Sequence, residues 1–310
     1  MPEYASDVIF HVQAGTRIGM GHLSRSRAVI TALQDMGFNC KLHLDADAQG
    51  VGKAREWGLA PIDTLPATPS ALVIDAITLD RVQADIIRRY GPRILISPVF
   101  SHADIVSHAL LRAASSALFR NLSDSAKLHI KTDYAFATAH GLRPSALDFA
   151  KLEVGMCLSG GVDPMDPKGV LTLLDELPQV AGIKMIDPRR IESIETPLQH
   201  VPRTKRPWDF LRGINLFIGG HGVMLAEAIA QGLPAISLST RTGDAKNSVL
   251  QESGALRVIA RDARMLLELK TILNDRIKLE EMHRASLNLD GAGRATCLAQ
   301  DIRAILKESD

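Results

Sequence analysis

Short apolar runs, three to five residues long, recur along the chain between polar stretches. Runs of this length, bounded by glycine, proline or charged residues, are typical of buried strands in a parallel sheet. The pattern predicts nine strands, at Val8–Val12, Cys40–Leu44, Leu72–Ile74, Ile94–Ile96, Val154–Leu158, Ile183–Ile186, Leu216–Ile218, Ala235–Leu238 and Leu256–Ile259.

Longer segments between these runs repeat apolar residues at helical spacing. They predict helices at Leu23–Met36, Arg81–Tyr90, Pro167–Leu177, Met224–Gln231 and Ala263–Leu273. Strands that alternate with helices form parallel sheets covered on both faces, with right-handed crossovers. The fold class is therefore α/β, with Rossmann-like, doubly wound parallel sheets.

The alternation is interrupted around residues 98–150, and a fresh strand, glycine loop and helix begin at Val154. We therefore expect two lobes that face a cleft, one formed by residues 1–150 and one by residues 151–310, in keeping with the length of the chain. A terminal helix over Ala292–Lys307 is expected to pack back on the first lobe.

Composition narrows the class of partner. Lysine and arginine total 36 against 35 aspartate and glutamate, a formal net charge of +1, so nothing favours nucleic acid or an anionic membrane. The three cysteines are far apart, which fits neither a metal site nor a disulfide framework. No apolar run is long enough to span a bilayer and no signal peptide is recognised, so we expect a cytoplasmic protein. The oligomeric state is not indicated.

The first of three glycine-rich loops, Gly15–His22, lies between the first strand and the first helix. Gly19 and Gly21 allow the backbone to approach a ligand closely, and the helix that follows offers unpaired N–H groups to an anion. His22 is placed at the entrance of this helix, on the edge of the sheet where such folds bind ligands. A structural turn in which His22 only caps the helix is the alternative.

Two further loops occur in the second half. One contains Gly160 and Gly161, and the other contains Gly220, His221 and Gly222 ahead of a helix that carries Glu227. A helix N-terminus at the latter loop is suited to a diphosphate. Farther along the chain, Asn247 begins another helix. Each feature also has a structural explanation: a turn between strand and helix, a solvated helix residue, or a helix N-cap.

The stretch Ile18-Gly19-Met20-Gly21-His22-Leu23-Ser24-Arg25 resembles a signature of the UDP-sugar hydrolases of pseudaminic acid biosynthesis and of related spore-coat polysaccharide proteins. Four more pieces follow in that family's order: Ser159-Gly160-Gly161 with Asp163, Glu227-Ala228 with Gly232 and Pro234, Asn247, and Asp290-Gly291-Ala292-Gly293-Arg294.

The resemblance implies the two-lobed architecture called GT-B, with UDP held mainly by the C-terminal lobe. Glu227 would contact the uridine ribose, the third loop would receive the diphosphate, and Asn247 would orient the sugar or a water. His22 would act as the general base for water attack at the anomeric carbon, releasing UDP and a free amino or deoxy sugar. No cofactor or metal is implied.

The chain departs from this family where the sugar would bind. It reads His11-Val12-Gln13 in place of Arg-x-Asp, Asp75-Ala76-Ile77 in place of Asp-x-Tyr, and Ser97-Pro98 in place of paired aspartates. A hydroxyl residue that often precedes the third-loop glutamate is replaced by Val223-Met224. The resemblance therefore does not define the sugar.

Three other functions remain open. The same cleft could transfer the sugar to an organic acceptor, which would make the protein a glycosyltransferase, or it could bind a nucleotide sugar without turnover. A dinucleotide-dependent oxidoreductase is the third, because Gly19-Met20-Gly21 imitates the start of a Gly-x-Gly-x-x-Gly fingerprint and Asp45 follows about 24 residues later. Against it, Ser24 replaces the third glycine of that fingerprint.

Overall fold

The computed structural model describes residues 7–66, 71–97, 100–112, 122–131, 146–158, 164–187, 194–202, 207–220, 222–240, 248–289 and 295–309. Two parallel sheets form within these residues. The first contains β1 (Asp7–Ala14), β2 (Asn39–Ala46), β3 (Pro61–Ile62), β4 (Ala71–Asp75), β5 (Arg93–Leu95), β6 (His108–Arg112) and β7 (Lys127–Lys131). The second contains β8 (Leu152–Cys157), β9 (Val180–Met185), β10 (Leu198–His200), β11 (Leu216–Gly219), β12 (Ala235–Ser239) and β13 (Leu256–Ala260).

The α-helices alternate with these strands. They are α1 (Gly21–Asp35), α2 (Ala48–Glu56), α3 (Arg81–Ile87), α4 (Lys168–Asp175), α5 (Pro207–Leu211), α6 (Val223–Ala230), α7 (Ser248–Glu252), α8 (Met265–Leu273), α9 (Arg276–Asn288) and α10 (Ala295–Ser309). In the part of the chain that the structure describes, no helix is long and apolar enough to cross a membrane.

Both sheets have the strand order of a doubly wound fold. The first runs β3-β2-β1-β4-β5-β6-β7 and the second runs β10-β9-β8-β11-β12-β13. In each, the first strand in sequence lies at the centre and the fourth pairs with its other side, so the order reverses between β1 and β4 and between β8 and β11. Open α/β sheets bind ligands at the carboxyl end of the strands at such a reversal.

The two sheets belong to separate compact units. One unit contains β1–β7, α1–α3 and α10, and the other contains β8–β13 and α4–α9. The nine predicted strands and the predicted α/β class are confirmed. Two strands that the sequence pattern did not predict, β6 and β7, extend the first sheet as parallel strands between residues 98 and 150.

Side chains of β1 alternate between two apolar cores, as the two-residue repeat of a strand requires. Val8, Phe10 and Val12 face a core shared with α1 and α10, whereas Ile9 faces a second core that contains residues of β4 and α3. The helix α10 adds six buried side chains to the first of these cores: Ala295, Leu298, Ala299, Ile302, Ile305 and Leu306.

Two histidines lie side by side on neighbouring strands of the first sheet. His11 of β1 is fully buried and stacks on His43 of β2, with their Nδ1 atoms 2.9 Å apart. Nε2 of His11 has no hydrogen-bond partner among the described residues. Burial, with the neighbouring His43, lowers the pKa of His11 to about 4.

We expect this buried histidine to make the protein less stable in mild acid. An unfolded histidine binds a proton below about pH 6.5, whereas folded His11 stays neutral down to about pH 4. The free energy of unfolding should therefore fall by about 3 kcal/mol across that window, and this loss should be absent in His11→Phe. Urea unfolding at several pH values measures it, with a variant of exposed His200 (His200→Phe) as control. Equal pH slopes for the wild type and His11→Phe would contradict the assignment.

Candidate active site

The candidate site lies where α1 begins. His22 is the second residue of this helix, and Arg25 and Ser26 follow it at spacings of three and four. Residues at these spacings share one face of a helix, so all three side chains point the same way. That face meets the end of β4, whose last residue is Asp75.

Asp75 is fully buried and binds all three side chains. Its Oδ1 lies 2.6 Å from Nδ1 of His22 and also accepts a hydrogen bond from Nη2 of Arg25. Its Oδ2 accepts from Nε of Arg25 at 2.8 Å and from the hydroxyl of Ser26 at 3.0 Å. Both carboxylate oxygens are therefore satisfied without water.

This environment keeps Asp75 ionised. Burial raises the pKa of the Asp75 carboxyl, but the adjacent charge of Arg25 and the hydrogen bonds that Arg25 and His22 donate outweigh burial and hold the pKa well below its usual range. An ionised carboxylate only accepts hydrogen bonds, so Nδ1 of His22 must carry the hydrogen in their 2.6 Å contact. In the neutral imidazole, the lone pair then lies on Nε2.

Nε2 of His22 is the atom available for chemistry. It forms no hydrogen bond with any residue that the structure describes, and the His22 side chain keeps 14% of its surface exposed. A bare Nε2 on a ring fixed through Nδ1 is the arrangement of a general base. The pair also lies at the reversal of strand order between β1 and β4.

The first glycine loop is held closed by backbone and carboxylate hydrogen bonds. Gly15 and Gly19 bond to each other through N–H and carbonyl groups at 2.7 and 3.2 Å, with φ angles of +146° and +86°. Asp47, the N-cap of α2, accepts from the amides of Thr16 at 2.7 Å and Gly50 at 2.9 Å. These hydrogen bonds lower the pKa of Asp47 to about 2.

Gly15 cannot carry a side chain without strain. A Cβ atom there would lie 2.8 Å from the Asp47 carboxylate, at a φ angle that other residues rarely adopt. We expect Gly15→Ala to lower the free energy of unfolding by about 1–3 kcal/mol. The matched control is Gly52→Ala inside α2, where a Cβ meets nothing within 4 Å. It should be stabilising by about 0.5–1 kcal/mol. Denaturant unfolding of both variants measures this difference. Equal changes in the free energy of unfolding would contradict the predicted strain at Gly15.

Gln13 ties together the loops beside this site. Its Nε2 donates to Asp45 at 2.9 Å, and its Oε1 accepts from the backbone amides of Ile77 at 2.8 Å and Thr78 at 3.3 Å. Both ends of the side-chain amide are used, so Gln13 connects the ends of β1 and β2 with the loop that follows Asp75. An aspartate at this position could not donate to Asp45.

The other predicted site residues either belong to the second unit or lie outside the residues that the structure describes. Gly220 follows β11 and donates its N–H to Cys157, Gly222 is the exposed N-cap of α6, and Glu227 lies in that helix with 1% of its surface exposed. A Cβ at Gly222 would have no neighbour within 4 Å among the described residues, so their packing does not require glycine there. Four predicted residues lie outside the described residues: Asn247, Gly160, Gly161 and His221.

The sequence prediction identified His22 but not its partners. In the sequence, Asp75 stands out only as part of a departure from a family motif, and Arg25 only as part of a signature. A signal existed: Asp75 ends a buried apolar run, and β4, the strand formed by that run, pairs with the first strand in this strand order. His22 and Asp75 are 53 residues apart in sequence, yet Nδ1 of His22 lies 2.6 Å from Oδ1 of Asp75.

No protein-family model matches the sequence, and no curated protein matches it. Solved structures of similar fold do exist. One is a UDP-GlcNAc 2-epimerase from Neisseria meningitidis bound to UDP-GlcNAc, with 11% identity, 97% of this chain and 100% of that chain covered, and a TM-score of 0.66. Another is the glycosyltransferase SnogD from Streptomyces nogalater, with 11% identity, 97% and 99% coverage, and a TM-score of 0.64. A third is MurG of Acinetobacter baumannii, with 14% identity, 98% and 99% coverage, and a TM-score of 0.65.

These similarities extend over nearly the whole chain and both sheets. They agree with the architecture that the family resemblance implied, but they do not support a hydrolase family specifically. The chain has a GT-B fold built from two Rossmann-like α/β units.

Proposed function

We propose that this protein is an enzyme that transfers a sugar from a nucleoside diphosphate, UDP in the first instance, to a hydroxyl group of an organic acceptor. The observation that carries the proposal is the buried contact between Nδ1 of His22 and the ionised Asp75, which leaves Nε2 as a base. Nε2 would take the proton of the acceptor hydroxyl as its oxygen attacks the anomeric carbon. The bond between that carbon and the diphosphate oxygen would break, and UDP would leave.

The proteins that share the fold favour transfer to an organic acceptor over transfer to water. Glycosyltransferases are among the proteins that share the fold, which favours transfer over the hydrolysis that the sequence signature indicated. The base and the bond that breaks are the same in both reactions. Only the molecule that gives up its proton to Nε2 differs, so an assay with and without acceptor separates them.

The nucleotide is proposed to bind the second unit. The α6 N-terminus follows Gly220 and Gly222 at the carboxyl end of β11, next to the reversal of strand order at β8. The N–H groups and positive dipole end of a helix attract a diphosphate, and no described residue lies within 4 Å of the point where a side chain would project from Gly222. Glu227 is proposed to bind the ribose, with Gly160, Gly161, His221 and Asn247 completing the substrate contacts. Residues 1–150 would then carry the acceptor side, and residues 151–310 the nucleotide side.

A two-stage experiment tests this function. Thermal-shift screening of nucleoside diphosphates, UDP-sugars and NAD would first identify what the protein binds. UDP release from each sugar that binds would then be measured with and without a panel of hydroxyl acceptors. Release that depends on an acceptor supports a transferase, and equal release without acceptor would make the protein a hydrolase. Stabilisation by NAD with no response to any UDP-sugar would overturn the proposal.

A further inference from the structure

We infer that Arg25 is a positioning residue whose charge keeps Nε2 of His22 free of a proton. It does so by holding the buried cluster of Arg25, Asp75 and His22 at zero net charge. Only the activity measurements below rest on the proposed function, because the protonation of His22 can be measured without any substrate.

Arg25 supplies the positive charge beside Asp75. Both of its oxygens bind Arg25, and the contact is buried, with 6% of the Arg25 side chain and none of Asp75 exposed. Among the described residues, the ionisable groups bound to Asp75 are Arg25 and His22, both from α1. The remaining contact is the neutral hydroxyl of Ser26. The charges of the Arg25 guanidinium and the Asp75 carboxylate cancel, so these three residues sum to zero charge when the His22 imidazole is neutral.

Removing the guanidinium leaves a buried carboxylate with no compensating charge, which is costly. The cluster can return to neutrality by binding one proton. If the imidazole takes that proton, both ring nitrogens carry hydrogen. If Asp75 takes it, the carboxyl O–H donates to Nδ1, and the hydrogen of the neutral ring moves to Nε2. In both cases Nε2 has lost its lone pair.

Arg25 does not act on Nε2 by contact. Its Nη2 lies 3.1 Å from Nδ1 of His22, but Nδ1 already carries the hydrogen that it donates to Asp75, so the two nitrogens do not form a hydrogen bond. The influence of Arg25 on the ring is therefore through charge and through Asp75. Arg25 thus has a role that its spacing from His22 on α1 does not reveal.

The test uses protein labelled with ¹⁵N in histidine, and two-bond ¹H–¹⁵N spectra that distinguish protonated from bare ring nitrogens. The resonances of His22 are assigned by their loss in His22→Asn. At neutral pH the wild type should show hydrogen on Nδ1 and a bare Nε2. Arg25→Met should show hydrogen on Nε2, while Arg25→Lys, which keeps the charge, should retain the wild-type pattern. Arg89→Met, at an exposed arginine of the same unit, should also retain it.

Turnover provides the second readout. With a substrate in hand, Arg25→Met should lower kcat by about 100-fold or more with little change in the KM of the donor, and Arg25→Lys should recover most of that loss. A wild-type protein that turns over no sugar but gives the expected spectra would defeat the proposed function and leave this inference intact.

A bare Nε2 in folded Arg25→Met would overturn the inference. If Arg25→Met does not fold, the double variant Arg25→Met/Asp75→Asn replaces it, because that cluster contains no charge to compensate. His22 should then remain neutral at neutral pH, although the position of its hydrogen is no longer fixed. A doubly protonated His22 in the double variant would equally overturn the inference.

Discussion

His22→Asn is expected to lower turnover by roughly 100- to 10,000-fold, the usual contribution of a general base. The fold and the affinity for UDP should change little, because the asparagine amide can still donate to Asp75 from the start of α1. What the variant lacks is a second nitrogen that can accept a proton.

The matched control is His200→Asn, at an exposed histidine of the second unit. It should leave turnover unchanged. Single-turnover kinetics and calorimetric titration of UDP separate the chemical step from binding. A His22→Asn variant that binds UDP and turns over sugar at the wild-type rate would remove His22 from the chemistry. The protein would then be a nucleotide-sugar binding protein, or an enzyme with a different base.

The second large effect is on stability. Asp75→Asn should lower the free energy of unfolding by about 3–5 kcal/mol, because the buried guanidinium of Arg25 loses its counter-charge. The control is Asp85→Asn, which breaks an ion pair with Arg88 whose side chains are 55% and 50% exposed. That exposed pair should contribute no more than about 1 kcal/mol to the free energy of unfolding. Urea unfolding at neutral pH compares the two variants.

A thermodynamic cycle sharpens this comparison. Arg25→Met/Asp75→Asn should be less destabilised than the sum of the two single variants, since neither residue is then left as an isolated buried charge. Additive effects would show that the two side chains do not interact in the way that the structure indicates.

Much of the fold follows from local pattern alone. The central strands β1, β4, β8 and β11 are largely buried on both faces, and the next helices along the chain are α1, α3, α4 and α6. The missed strands are at or near sheet edges: β3, β6, β7 and β10. In β7, for example, Lys127 and Lys131 are exposed and bind Glu308 and Asp301 of α10. Such strands mix polar with apolar residues, because one side or one face meets solvent.

The candidate site was only half predictable for a different reason. The glycine loop and His22 are contiguous in sequence, so residue type and spacing identify them. Asp75 comes from a distant strand, and its partnership with His22 depends on the pairing of β1 with β4. Gln13 likewise reads as the loss of an aspartate until its two hydrogen-bonded ends are seen. Pairwise geometry of this kind is a property of the assembled sheet.

The position of α10 has a consequence for biosynthesis. The core beneath α1 is completed by side chains from Ala295 to Leu306, which leave the ribosome only after the entire second unit has been made. Domains generally fold in the order of their synthesis, but the first unit cannot finish before the second has emerged. During translation its apolar surface stays open for that interval. The N-terminal half is therefore expected to depend on chaperones on the ribosome.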